Sequence, residues 1–210
     1  MNKELSKTLR QRILDKGGIV FADKFLGLVQ TVEKVDTDVN QNPVRKRFPV
    51  ATEILTDLDG TCRNFEEMAI PDSSLKGIAY FEDNGTFADS RSRSGNLFQF
   101  TSNLRLVVWI NRWLVTSSVY SEITALAISD LIEKLEVDRN PKTEGMFVNL
   151  SVSVQRIPSQ DAQIFSKYTY DEAVTQYLRP PFEFFALDLV CKYSINPNCI
   201  NEITLNEPEC

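Results

Sequence analysis

The sequence predicts an α+β domain: a mainly antiparallel sheet packed by one long central helix and an N-terminal helix, with a long β-hairpin and an extended C-terminal tail. Three stretches carry that expectation. LRLVVWINRWLV alternates with the period of a pleated strand and puts Leu104, Leu106, Val108, Ile110 and Leu114 on one side. Its other side holds Arg105 and Asn111 with Val107, Trp109, Trp113 and Val115, so that side is at least partly covered too. SSVYSEITALAISDLIEKLEV then places Val119, Ile123, Ala127, Leu131 and Leu135 four residues apart, the stripe of an amphipathic helix. Ser117 or Ser118 is suited to cap its start, without the Glu or Gln three residues on that completes a capping box. After the break at Asn140-Pro141 and Gly145, MFVNLSVSVQRI alternates again. Met146, Val148, Leu150, Val152 and Val154 face one way; Asn149, Ser151, Ser153 and Gln155 face the other, as in a sheet that meets water or a polar partner on one side.

The remaining elements follow in order. Leu5, Leu9 and Ile13 mark a first helix that closes at Gly17-Gly18. IVFADKFLGLVQTVEKV reads as a long strand, or as two with a break at Gly27, and Asp23 and Lys24 interrupt its apolar face. Asp36 to Pro43 is turn-rich, and VRKRFPVATEILTD is a further strand whose Pro49 implies an edge or a bulge. Together these make a long hairpin over about 19–58. GIAYFED is a short strand, Asn84-Gly85 is a favoured two-residue hairpin turn, and SRSRSGN completes a flexible, locally basic loop at about 83–96. IPSQDAQIFSKYTYDEAVTQYLRPP is an excursion, weakly helical from Asp171 to Leu178 and stopped by Pro180-Pro181. FEFFALDLVCKYSI is the last strand, with Phe185, Leu187, Leu189, Cys191 and Tyr193 on one face. Residues 1–195 therefore read as one domain, and 196–210 as an extended acidic tail.

Composition narrows the function classes. A chain of 210 residues, 42% hydrophobic and 25% charged, buries a substantial core as an ordinary soluble domain. A formal charge of −6 opposes a non-specific grip on nucleic acid. The absence of histidine removes the commonest general base, the commonest metal ligand, and the Ser-His and Cys-His nucleophile pairs. Cys62, Cys191, Cys199 and Cys210 have no CxxC spacing, which argues against a structural zinc site. MNKELSKTLRQR reads as a charged amphipathic helix and not a signal peptide, so reduced thiols in a cytoplasm are expected. No apolar run approaches the ~20 residues that span a bilayer, and no membrane partner is expected. Neither is a cofactor or a metal.

Several motifs carry alternatives. ILTDLDGT, residues 54–61, resembles the first motif of the haloacid-dehalogenase-like phosphatases. That resemblance implies Asp57 as nucleophile, Asp59 as acid and base, and magnesium against Asp57. The family also uses a Lys, for which Lys134 or Lys142 would serve, and a late acidic pair after an apolar strand, which this sequence lacks. No βαβαβ alternation follows the motif, and Asp-Leu-Asp-Gly is equally a good turn. Trp109 and Trp113 with Arg105 and Arg112 would suit a nucleic-acid stacking platform; the acidic charge favours aromatic packing on a sheet face or a subunit contact instead. Arg45, Lys46 and Arg47 lie on the hairpin arm, where charge complementarity would let them answer the acidic tail of a neighbouring copy. Arg91 and Arg93 in the loop are candidates of the same kind.

The order helix, long hairpin, loop, strand, helix, strand, excursion, strand resembles the tail-terminator and tail-completion proteins of tailed bacteriophages. LRLVVWINRWLV, the helix from Val119 to Leu135, FVNLSVSV, and YLRPPFEFFALDLVCKYSI with the late Cys199 carry the likeness, and their wording is similar to neck and tail ring proteins of crAss-like Bacteroides phages. The resemblance implies a tail-terminator-like fold and a non-enzymatic structural virion protein, assembled in the host cytoplasm. It implies a homo-oligomeric ring of roughly six or twelve copies, placed between a portal or adaptor ring and the tail proteins. DNA would pass through the ring without sequence-specific binding. Arg45, Lys46, Arg47, Arg91 and Arg93 are its expected interface residues. The alternatives are the Asp57/Asp59 magnesium-dependent phosphatase and a monomeric cytoplasmic binding module.

Overall fold

Leu5, Leu9 and Ile13 are fully buried along one stripe of α1 (Asn2–Asp15), each stabilising the fold by about 1.5–3 kcal/mol through burial. The helix closes as expected. The Gly18 and Gly17 N–H groups donate to the carbonyls of Ile13 and Leu14 at 2.9 and 3.0 Å, satisfying two carbonyls that the last turn leaves free. The computed structural model describes residues 1–37, 42–56, 62–94, 97–116, 123–170 and 172–195; the side chains at 36, 52–56, 62–67, 89–94 and 172–173 lie outside that description.

The strands are β1 (Lys24–Thr37), β2 (Pro43–Thr56), β3 (Cys62–Met68), β4 (Gly77–Ser94), β5 (Leu97–Asn111), β6 (Lys142–Glu144), β7 (Phe147–Arg156) and β8 (Phe182–Ile195). Among the described residues they form one eight-stranded sheet in the order β3-β2-β1-β4-β5-β8-β7-β6. Only β1 and β4 run parallel; every other neighbouring pair is antiparallel. The fold is α+β with a mostly antiparallel sheet, as the alternating stretches predict.

The helices depart from expectation. α2 (Arg112–Val115) is a single turn, and α3 (Ile123–Lys134) is twelve residues long as described, shorter than the fourteen of α1. Val119 and the capping serines 117 and 118 lie outside the described residues. Ile123, Ala127, Leu131 and Leu135 do form the buried stripe, and α1 and α3 share one face of the sheet rather than one helix dominating it. Arg12 Nη1 donates to the Leu135 carbonyl at 3.0 Å, and Lys134 Nζ donates to the Gly18 carbonyl at 2.8 Å. Cations thus meet both helix C-termini, where the helix dipole favours them. The opposite face is covered by the excursion between β7 and β8, which contains α4 (Asp161–Ile164), α5 (Glu172–Thr175) and a 3₁₀ turn (Gln176–Leu178). Its Ile164, Phe165 and Tyr168 pack on Tyr80, Val107 and Trp109.

Three local readings change, and the fourth, Pro49 at an edge, holds. The strand through Leu104 ends at Asn111, whose side-chain carbonyl accepts from the Trp113 N–H at 3.2 Å and starts α2, so Trp113, Leu114 and Val115 leave the sheet. In β7 the alternation slips. Asn149 sits at φ +55 beside a register shift, so Phe147, not Val148, shares the buried face of Leu150 and Val152. Pro49 lies where the β2–β3 ladder stops: Val50 opposite Met68 is its last pair, and the Pro49 carbonyl accepts from Ala69 N–H where a return N–H is missing. Finally, Asn84-Gly85 is not a hairpin turn. β4 runs on to Ser94, so residues 83–94 of the expected loop are the outer half of the strand that pairs with β5.

Candidate functional site

The parallel ladder between β1 and β4 lasts only from Lys24 opposite Ile78 to Val29 opposite Glu82. It ends at a bulge, where the pairing of β4 with β5 skips from Asp83–Leu104 to Thr86–Ser102. Gly85 takes φ +106 there, a conformation that a residue with a β-carbon adopts only at a cost. The bulge is pinned from both sides. Asp83 Oδ1 accepts from the Gly85 N–H and from Asn2 Nδ2, both at 2.7 Å, while Asn2 Oδ1 accepts the Thr86 and Ser102 hydroxyls at 2.8 Å. The start of α1 therefore fixes where β4 turns away from β1.

Beyond that point the sheet forks into two arms. β1 and β2 continue as a ribbon to Thr37 opposite Pro43, and β4 and β5 continue to Ser94 opposite Leu97. Among the described residues, 30–37 of β1 and 83–94 of β4 are each paired on one side only. Exposed apolar side chains stand on both arms: Val35 at 69%, Phe87 at 60% and Phe98 at 41% relative exposure. Arg45 and Arg47 lie on the first arm as expected and converge on one acceptor. Arg45 Nη1 reaches Glu33 Oε1 at 3.0 Å and Arg47 Nε reaches Glu33 Oε2 at 3.3 Å. Lys46 projects from the other face, directly opposite Lys34 in the register. Arg91 and Arg93 are strand residues of the second arm, and their side chains lie outside the description.

A second constellation lies at the root of the fork. The register sets Glu82 opposite Arg105, Arg105 opposite Asp188, and Asp188 opposite Arg156, a row of alternating charge across β4, β5, β8 and β7. Arg105 grips Asp188 with two bonds, Nε to Oδ1 at 2.6 Å and Nη2 to Oδ2 at 3.2 Å, and Arg156 Nε adds a third at 3.0 Å. Glu82, only 2% exposed, accepts the Tyr168 hydroxyl at Oε1 at 2.5 Å, and its Oε2 lies 2.7 Å from the Lys167 ammonium as an ion pair. The row thus buckles the excursion onto the sheet, and the Arg105 bond to the Gln163 carbonyl at 3.0 Å adds to the clasp. Burial and the Glu82 carboxylate push the Tyr168 phenol far above its ordinary value, so it stays a proton donor to Glu82. Each residue of the row was visible as a polar interruption in an apolar strand; only the register shows that they meet.

Other candidate residues separate. Trp109 is buried, donates Nε1–H to the Tyr177 carbonyl at 2.7 Å and stacks on Phe182 at 5.3 Å, while Trp113 is 68% exposed on α2. With Arg105 held by Asp188 and Arg112 within 3.2 Å of Glu183, the four residues form no common stacking platform. Asp57 and Asp59 lie outside the described residues. The strands β2 and β3, which flank them in sequence, are adjacent and antiparallel, with Thr56 opposite Cys62, and not the parallel β-α alternation that the phosphatase resemblance implies. Cys191 is a buried free thiol pushed up to about 12 by burial; Cys199 and Cys210 lie outside the described residues. An open cleft of about 380 Å³ between Lys24, Ile70, Asp72, Leu75 and Tyr177 is lined by mixed side chains. Its Asp72 carboxyl is held below its usual range, chiefly by the Ser74 backbone N–H. Among the described residues no group of three His, Cys, Asp or Glu side chains gathers to hold a metal, and no helix is long and apolar enough to cross a membrane. No family model matches this chain, and neither does any curated protein or solved structure.

Proposed function

We propose that the chain is a structural subunit of a phage virion, a non-enzymatic tail-terminator-like protein that forms a homo-oligomeric ring in the neck or tail. In this reading the ring joins portal-side components to the tail and lines the conduit through which DNA passes. The forked sheet is the observation that carries it. A two-stranded ribbon is marginal in water on its own, and the β1–β2 arm beyond Val29 is such a ribbon, with Val35 exposed on it. Arms of this kind gain stability by lying against a neighbour, and closed rings are built from the same surface repeated around an axis. The formal charge of −6 suits a wall past which DNA slides. Arg45, Lys46, Arg47, Arg91 and Arg93, one basic group on each arm, are the interface residues of this reading.

Light scattering over a concentration range tests it. The expected result is a discrete assembly of roughly six or twelve copies. A chain that stays monomeric at every concentration, and that does not join purified neck complexes, overturns the ring and leaves the binding-module reading. Magnesium-dependent phosphate release that is lost in Asp57→Asn would establish the phosphatase in its place.

A further inference from the structure

We infer that Glu82 and the tyrosines around it form a binding site for a primary alkylammonium ion, filled in this structure by the chain's own Lys167. The inference is independent of the ring reading. The carboxylate stands on β4 at the root of the fork, two residues after Tyr80 and on the same face of the strand. The excursion folds over it and delivers Tyr168 and Lys167. One oxygen is taken by Tyr168, whose hydroxyl donates to Oε1 at 2.5 Å. The other, Oε2, lies 2.7 Å from the Lys167 ammonium. That ammonium also stands over the Tyr168 ring, 5.2 Å from its centre, where the negative face of the ring attracts a cation. The Lys167 side chain is 39% exposed and Glu82 only 2%. Its stem therefore leads from solvent to a carboxylate that is otherwise sealed off.

Three features select the ligand. The first is charge. One carboxylate supplies a single negative charge, and the phenols add none. Burial first, and Glu82 after it, hold Tyr168 and Tyr170 above the ordinary tyrosine value. Burial first, and then Tyr170, Tyr168 and Glu82, do the same for Tyr80. The cluster therefore suits a monovalent cation. Hard dications gather several anionic oxygens, and among the described residues no group of three His, Cys, Asp or Glu side chains does so. The second feature is shape. With Oε1 given to Tyr168, one oxygen remains, which fits the point charge of an ammonium and not the two-pronged guanidinium. The third is the commitment of the neighbouring cation. Arg105 lies opposite Glu82 in the register, but its Nε and Nη2 bond Asp188 and its Nη1 bonds the Gln163 carbonyl. Without Lys167 the buried carboxylate would keep the Tyr168 bond and lose its paired charge, a state costly enough to draw a replacement from solvent.

Chemical rescue tests the site. Lys167→Ala deletes the side chain beyond Cβ, which is an n-propylammonium group, so n-propylammonium chloride is the probe. It is titrated to about 50 mM against sodium chloride at equal ionic strength. The truncated chain should be less stable than the parent, and the probe should lower its unfolding equilibrium constant about tenfold while changing the parent's by less than about twofold. n-Propanol and tetramethylammonium should not restore it, and the double variant Glu82→Gln/Lys167→Ala should ignore the probe. Should Lys167→Ala not fold alone, its refolding yield with n-propylammonium against n-propanol gives the same reading. Lys167→Arg, which keeps the charge, should also be less stable than the parent; equal stability overturns the preference for ammonium. No response of Lys167→Ala to the probe overturns the inference. So does equal rescue by n-propanol, which would reduce the stem to a cavity filler, or equal stabilisation of the parent, which would place the amine elsewhere.

Discussion

Both arms leave the sheet beyond the Val29–Glu82 pair, yet β8 accompanies the β4–β5 arm as far as Ile195 opposite Phe98, while among the described residues the β1–β2 arm has its own two strands alone. The consequence is visible in the side chains. On the supported arm Phe100 stacks on Tyr193 at 5.9 Å, and the Tyr193 hydroxyl meets Ser102 at 2.7 Å. On the other arm the Thr169 N–H of the excursion donates to the Arg47 carbonyl at 2.8 Å, and Glu33 forms exposed ion pairs with Arg45 and Arg47 that contribute little in water. Similar hairpins therefore differ in what holds them: a third strand supplies burial to one, and a backbone bond from the excursion with exposed ion pairs holds the other.

The comparison can be broken most severely at the common root. Phe185→Ala empties a fully buried site under both arms and should cost about 3–5 kcal/mol, read as a lower denaturant midpoint. Glu82→Ala should cost about 3 kcal/mol, the lower end for breaking a buried pair because Lys167 is partly exposed. Proteolysis within 157–181 should then quicken while cleavage in the β1–β2 arm stays unchanged; equal acceleration in both would show that the clasp also holds the arm. Gly85→Ala, at φ +106, should cost about 1–2 kcal/mol and loosen the turn of β4 away from β1, measured as faster exchange of the Thr86 and Ser102 amides. Arg45→Ala should change the stability of the isolated chain by no more than about 0.5 kcal/mol while lowering the mass of the assembly.

A pH experiment separates the arms from the helical face. Lys142 first, and then Lys16, hold the Glu136 carboxyl down to about 2 from 4.5, with Nζ–Oε distances of 2.6 and 2.9 Å. A carboxyl lowered in the folded state contributes stability that is complete above its unfolded value and is lost as pH falls through the folded one. Between about 4.5 and 2 the α3–β6 corner should therefore weaken. Glu136→Gln should be less stable than the parent at pH 7, with the gap in thermal midpoint closing towards pH 2. A gap independent of pH would remove the two lysines as its cause.

Period-two and period-four spacing was enough to read α1, β5, β8 and the buried stripe of α3, because each hides one face in the core and its apolar residues recur accordingly. Spacing failed where a single backbone residue changes parity. Asn149 and Gly85 each add a bulge whose side chain gives no warning, and Asn84-Gly85 has the composition of a turn that the chain does not make. The charge row was hidden for a different reason. Glu82, Arg105 and Asp188 are remote in sequence, and only the β4–β5–β8 register brings them together. Arg45 and Arg47 were legible as an arm cluster; their shared acceptor Glu33 was not.

The strand order also dictates a timetable. β8, made after every other strand, is inserted between β5 and β7 in the middle of the sheet. Until it arrives, β5 and β7 each lack their shared neighbour, and the apolar row from Phe185 to Ile195 that seals α1 and α3 is absent. Such late, long-range pairing makes folding slow and leaves sticky intermediates. A nascent chain therefore cannot complete its sheet before residues 182–195 have left the ribosome.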